Sequence, residues 1–183
     1  MSAEPGSRPG RRYIVWAVGL VVYGLAVFHR SSLAVAGLAA TERFDISASQ
    51  LASFTMLQLL VYAAMQVPVG LMVDRFGSRT VLTAAVTVVS TGQAAFAFTG
   101  DYPTALVARA LVGVGDAMTF ICVLRLVTSW FPARQVPLVS QLTGNLGQLG
   151  ALGAAAPMTW ALGQFGWTRA YLAGAVAGLV MLV

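Results

Sequence analysis

Five ionisable side chains stand inside long apolar stretches of this chain: His29 and Arg30 in one, and Arg109, Asp116 and Arg125 in another. A charge surrounded by hydrocarbon is costly, so it marks a pathway, a relay or an internal pair. Arg30 follows Trp16 by 14 residues, ~21 Å along a helix, too far to reach back to that end. Its guanidinium keeps its charge and offers a planar fork of donors matched to carboxylate or phosphate. Arg30 therefore needs a counter-charge, with Tyr23 and Gln66 as hydrogen-bonding helpers. Arg109 and Asp116 share one helix face, where they either neutralise each other or take part in ion coupling. If Arg109 occupies Asp116, a substrate anion is the simplest partner for Arg30. Backbone carbonyls, or an acid outside this chain, are the alternatives. His29 either packs between helices or relays a proton. Arg125 lies near the end of its stretch, where its side chain can snorkel.

The elements that must position these groups are membrane helices. Hydrophobic residues make up 58% of the 183-residue chain and charged residues 9%, against roughly 25% charged in a soluble domain. Spans are expected at about 13–38, 50–73, 80–98, 103–127 and 136–162, with a sixth at 170–183 that stops while still apolar. Each complete span meets or approaches the roughly 20 residues needed to cross hydrocarbon. Residues 1–12 read as a tail and 13–183 as one transmembrane bundle with an incomplete sixth helix. Ser47 and Gln50 have the spacing of a capping box ahead of the second span. Pro103 suits the first turn of the fourth. Trp16, Tyr102, Trp130 and Trp167 fall near expected membrane interfaces.

Charge fixes the orientation and excludes several functions. All eleven basic residues are arginines. Six of them (Arg8, Arg11, Arg12, Arg75, Arg79 and Arg134) fall on one side if the N-terminus is cytoplasmic, against Arg43 and Arg169 on the other. The arrangement is that of a multi-pass inner-membrane protein. The arginines are scattered, which excludes a nucleic-acid face. The single cysteine, Cys122, forms neither an internal disulfide nor a multi-cysteine metal site. No Ser/His/acid set, metal cluster or phosphate-cradling loop is present, so the chain reads as a non-enzyme without cofactor or metal.

The segment after the second span reads Gly70-Leu-Met-Val-Asp74-Arg75-Phe-Gly77-Ser-Arg79. It resembles the G-x-x-x-D-R-x-G-R-R/K signature between the second and third helices of the major facilitator superfamily, with Ser78 as the departure. Physically, Gly70 would let helices approach, Gly77 would relieve a tight turn, and Asp74 would pair with arginines. The segment is expected to govern conformational exchange. Arg109-Ala-Leu-Val-Gly113-Val-Gly115-Asp116-Ala117 is similar to the family's R-x-x-x-G-x-G-x-A pattern in its fourth helix. The resemblance implies an all-α membrane fold in which this chain supplies the N-terminal bundle of two inverted three-helix repeats. It also implies a C-terminal bundle from the same protein as partner, beside the lipid bilayer.

A finer resemblance lies in His29-Arg30-Ser31-Ser32-Leu33-Ala34, similar to the first-helix arginine segment of the anion:cation symporter and organophosphate antiporter branch. There the arginine binds an anionic substrate group. Gln66 stands where the glycerol phosphate antiporter has a lysine, which favours a carboxylate or another oxyanion over a phosphate ester. In the fifth span, Gly144, Gly147, Gly150 and Gly153 are spaced for close helix packing. Gly144-Asn145-Leu-Gly147 is faintly similar to a nitrate-transporter signature, and the absence of a Gly-Pro pair disfavours a drug exporter. The expected function is secondary active transport of a small organic anion by alternating access. A nitrate or nitrite carrier, a proton-coupled drug or cation exporter, and a non-transporting scaffold or homodimeric half-transporter are the alternatives.

Overall fold

The computed structural model describes residues 9–181, and they are helical almost throughout. The elements are α1 (Pro9–Val35), α2 (Gly37–Phe44), α3 (Ala48–Ala64), α4 (Gln66–Phe98), α5 (Tyr102–Trp130), α6 (Val136–Gly147) and α7 (Leu149–Val180). Single residues separate α1 from α2, α3 from α4, and α6 from α7. Backbone hydrogen bonds run on across them, as from Val69 to Met65 at 2.9 Å and from Ala40 to Ala36 at 2.8 Å. Real changes of direction come elsewhere. Gly77 (φ 79°, ψ 155°) divides α4, and Gly166 (φ 74°, ψ 178°) divides α7. Both need the left-handed half of φ space that glycine enters without a Cβ penalty. Between α2 and α3 the chain bends by 113°, with Asp45 at φ 50°, a residue type that tolerates this region.

Grouped at these turns, the chain forms successive rods: α1 with α2, α3 with residues 66–76, residues 78–98, α5, α6 with residues 149–165, and residues 167–180. The first rod runs on to Phe44 instead of ending near Leu38, because the backbone at Ala36 departs only slightly from helix. α1 begins at Pro9 and so includes Arg11 and Arg12 of the segment expected as a tail. Residues 1–8 lie outside the described part. The turn after the fifth rod falls at Gly166, between the expected limits of 162 and 170.

Helix ends follow local chemistry. Ser47 and Gln50 form the expected reciprocal capping box, with Gln50 N–H bonded to Ser47 Oγ at 3.3 Å and Ser47 N–H to Gln50 Oε1 at 3.0 Å. Asp101, not singled out in the sequence, caps α5 by accepting from Thr104 N–H at 3.0 Å. That bond, with a second donated by the Thr104 hydroxyl to Asp101 Oδ2 at 2.8 Å, holds the Asp101 carboxyl below the usual carboxylate range.

The outside of the bundle is apolar: Leu60, Val67, Leu71 and Leu152 are among its exposed side chains. Such a surface suits lipid. Gly10–Val35, Gln66–Phe98 and Tyr102–Trp130 are each long and apolar enough to cross a membrane, as is the bent α2–α3 pair taken together. The core is richest in aromatic rings near the Asp45 end, where Phe44, Phe54, Phe96, Trp167 and Tyr171 interlock. Trp167 belongs to this core, one residue after the Gly166 turn. It is 8% exposed, and its indole N–H reaches the Phe96 carbonyl at 3.3 Å. The widest interface joins α4 to α5, and a Cβ on Gly115 would stand 2.8 Å from the Ala85 carbonyl oxygen.

Candidate functional site

The intramembrane charges of α1 and α5 converge, but not as their spacing along one helix suggested. Arg109 does not pair with Asp116. Its fully buried guanidinium crosses to α1 and α3, donating to the His29 carbonyl at 3.2 Å, to the Arg30 carbonyl at 3.0 Å and to Gln58 Oε1. Carbonyl oxygens carry two lone pairs, so α1 can accept these bonds without losing its own ladder. Phe96 lies 5.3 Å below the guanidinium carbon and adds a cation–π contact. Arg109 is thus a buried fastener of three helices.

Asp116 is left free for Arg30. Their ion pair joins Arg30 Nη1 to Asp116 Oδ2 at 3.1 Å, with the arginine side chain 25% exposed and the aspartate fully buried. The counter-charge of Arg30 is therefore an acid of this chain, seven residues along α5 from Arg109. Asp116 Oδ1 has no hydrogen-bond partner among the described residues. The pair is half satisfied and open on the arginine side.

Tyr23 and Tyr62 lie within electrostatic reach of this pair. Tyr23 is 4% exposed and packs against Gly147, where a Cβ would collide with its ring. Gln66 turns back on its own rod, donating to the Tyr62 carbonyl at 3.2 Å. It is not a hydrogen-bond partner of Arg30 among the described residues. A cleft of about 240 Å³ opens beside Arg30, lined also by Ser31, Ala34, Thr55, Gln58 and Leu59.

Gln58 was missed in the sequence, where it stands as one uncharged polar residue in the apolar run Phe54-Thr-Met-Leu-Gln58-Leu-Leu. It is 2% exposed. Its carbonyl oxygen lies 2.9 Å from where a Gly113 Cβ would stand. Arg109 and Gly113, two residues of the matched α5 pattern, hold the same glutamine. His29 is wholly buried, and neither ring nitrogen has a partner among the described residues. Its ring packs toward Gly174 on α7 and edge-on to Phe28.

The Gly70–Arg79 segment lies apart from this cleft. Asp74 pairs with Arg125 of α5 at 2.7 Å, both more than half exposed. Arg125 thus has a fixed partner in place of simple snorkelling. Arg75 stacks over Phe76 at 5.3 Å, and Arg79 is exposed. Gly77 makes the turn, whereas Gly70 makes no close approach: a Cβ there would meet nothing within 4 Å among the described residues. Of the four glycines expected to pack, Gly147 and Gly150 press against Tyr23 and Gly24 of α1. At Gly144 and Gly153 a Cβ would meet nothing within 4 Å among the described residues. The site offers arginine and amide donors, a buried carboxylate and two phenols. Among the described residues no cluster could hold a metal ion.

Comparison with known proteins fits this geometry. The model described as Major Facilitator Superfamily matches residues 9–183. The chain is 26% identical over 167 residues to the "Probable sulfoacetate transporter SauU" of Cupriavidus necator, covering 91% of this chain and 39% of that protein. It is 25% identical over 177 residues to the "Probable galactarate/D-glucarate transporter GarP" of Escherichia coli K12, covering 93% and 40%. Among solved structures it resembles a bacterial homolog of the human lysosomal transporter Spinster, inward-facing and occupied. The TM-score is 0.76 at 17% identity, over 97% of this chain and 44% of that one. The chain spans about 40% of the length of the curated relatives it matches.

Proposed function

Because the chain belongs to the Major Facilitator Superfamily and has that family's all-α fold, we propose that it forms one bundle of a secondary active transporter for small organic acids. The family is one of multi-pass membrane transporters and not of enzymes. A second bundle, from the remainder of a longer protein, would close the cavity on the Arg30 side. The observation that carries the reading is the Arg30–Asp116 ion pair at the edge of a cleft. Its arginine is partly exposed and its aspartate is not, so an incoming carboxylate meets the guanidinium first.

Substrate and Asp116 then compete for the same fork of donors. A carboxylate that takes Arg30 leaves Asp116 buried without its counter-charge, a state relieved by taking up a proton. Substrate and proton would thus load together, which makes the cycle a symport. Alternating access follows if the two bundles rock about this midplane site. The names of relatives that carry sulfoacetate and galactarate or D-glucarate support an organic acid as substrate. The arginine bias supports a plasma-membrane protein with a cytoplasmic N-terminus.

The test is uptake by the intact protein in proteoliposomes, with sulfoacetate and galactarate as probes and membrane abundance measured alongside. Arg30→Ala should abolish uptake, Arg30→Lys should weaken binding, and Asp116→Asn should bind substrate yet lose acceleration by a proton gradient. Uptake by Arg30→Ala at the wild-type rate would refute the assignment.

A further inference from the structure

Gln58 lines the cleft beside Arg30, yet nothing so far uses its amide nitrogen. That nitrogen is buried and has no hydrogen-bond partner among the described residues. The other end of the amide is committed: Gln58 Oε1 accepts from Arg109. Arginine is a donor only, so flipping the amide would set two donors face to face. The orientation is therefore dictated by chemistry, and the NH₂ must be the end left over. The backbone cannot swing away either, since Gly113 seats the Gln58 carbonyl and side-chain stem against α5.

We infer that Gln58 is a specificity-determining residue that donates to a second acceptor-rich head on the substrate, so that the site selects two-headed acids. The inference rests on the proposal that Arg30 anchors an anionic substrate. Arg30 supplies donors to the first head, and Gln58 Nε2 supplies a fixed donor to the second. Ser31 and Thr55, which also line the cleft, can donate as well. A cleft that presents the Arg30 guanidinium and the unpartnered Gln58 amide nitrogen, both donors, rewards a molecule with acceptors at two points, such as a dicarboxylate or a sulfonated carboxylate. A single-headed acid leaves the buried amide unsatisfied, the kind of mismatch by which polar sites reject analogues. Arg109 acts here as a positioning residue, through Gln58.

The experiment measures equilibrium binding to the intact protein for two pairs of probes. Galactarate is compared with galactonate, and sulfoacetate with glycolate; in each pair the second member carries a neutral hydroxyl group in place of the second anionic head. Wild type should prefer the two-headed member roughly tenfold or more in at least one pair. Gln58→Glu keeps an acceptor for Arg109 but removes the donor, and should erase that preference. Gln58→Met should do the same without adding a charge, which separates loss of the donor from repulsion. Arg30→Ala should abolish binding of both members. A wild type without preference in either pair, or Gln58 variants that fold and keep it, would overturn the inference while leaving the Arg30 anchor intact. Undiminished binding of both members by Arg30→Ala would instead overturn the anchor beneath it.

Discussion

Asp74 on α4 and Arg125 on α5 meet at 2.7 Å, three residues ahead of the Gly77 turn. Both side chains are more than half exposed, so the pair contributes little to stability, ~1 kcal/mol or less after solvent screening. Its value lies in tying the turn to a helix of the core. Asp74→Asn should slow transport several-fold while leaving substrate affinity within a few-fold, read by comparing uptake with equilibrium binding. Loss of binding by a normally folded variant would place the turn in substrate recognition.

Removing the Arg109 fastener should have a much larger structural effect. Arg109→Lys cannot serve the His29 and Arg30 carbonyls and Gln58 from one planar group. The expected loss is about 2–4 kcal/mol, because buried acceptors lose a charged donor. Thermal unfolding of the purified protein in detergent checks it. A melting temperature equal to wild type would show that the three bonds are dispensable.

The glycines of the bundle separate by contact. Gly115→Ala would drive a methyl group into the α4 backbone at Ala85 and Val89 and should cost about 1–3 kcal/mol. Gly153→Ala meets nothing within 4 Å among the described residues and should stay within about 0.5 kcal/mol of wild type. Equal effects at the two positions, measured in one unfolding assay, would contradict this packing.

At the Asp101 cap, pH provides the handle. Thr104 stabilises the charged carboxylate, so the folded-state value lies below that of the unfolded chain. The sign follows from linkage: the contribution is complete above the unfolded carboxylate value and fades as pH falls through the folded one. Asp101→Ala should therefore be less stable than wild type at neutral pH, with the gap closing in acid. A gap that widens on acidification would rule out the cap as its origin.

Much of this architecture was legible before any coordinates. The Gly77 turn was read from a loop between apolar runs, and the Ser47–Gln50 cap from spacing alone, because both depend on neighbours in sequence. Crowding of charge into α1 and α5 was equally plain, since an arginine in an apolar run stands out. Their pairing was not. Seven residues along one helix keep Arg109 and Asp116 on one face but ~10.5 Å apart in rise, and which neighbours cross that gap depends on packing. Gln58 stayed hidden because an uncharged amide in a membrane helix gives no signal until its partners are known. Gly70 shows a related limit: a glycine permits a close approach, and among the described residues none occurs there.

The division of labour between the two arginines bears on how such a protein changes over evolutionary time. Arg109 grips the α1 main chain at residues 29 and 30, so the segment beneath Arg30 is fixed by atoms that every amino acid shares. Side chains around the cleft can then be exchanged without loosening that grip. New ligand preferences become reachable by single substitutions, while the scaffold that presents them is inherited unchanged.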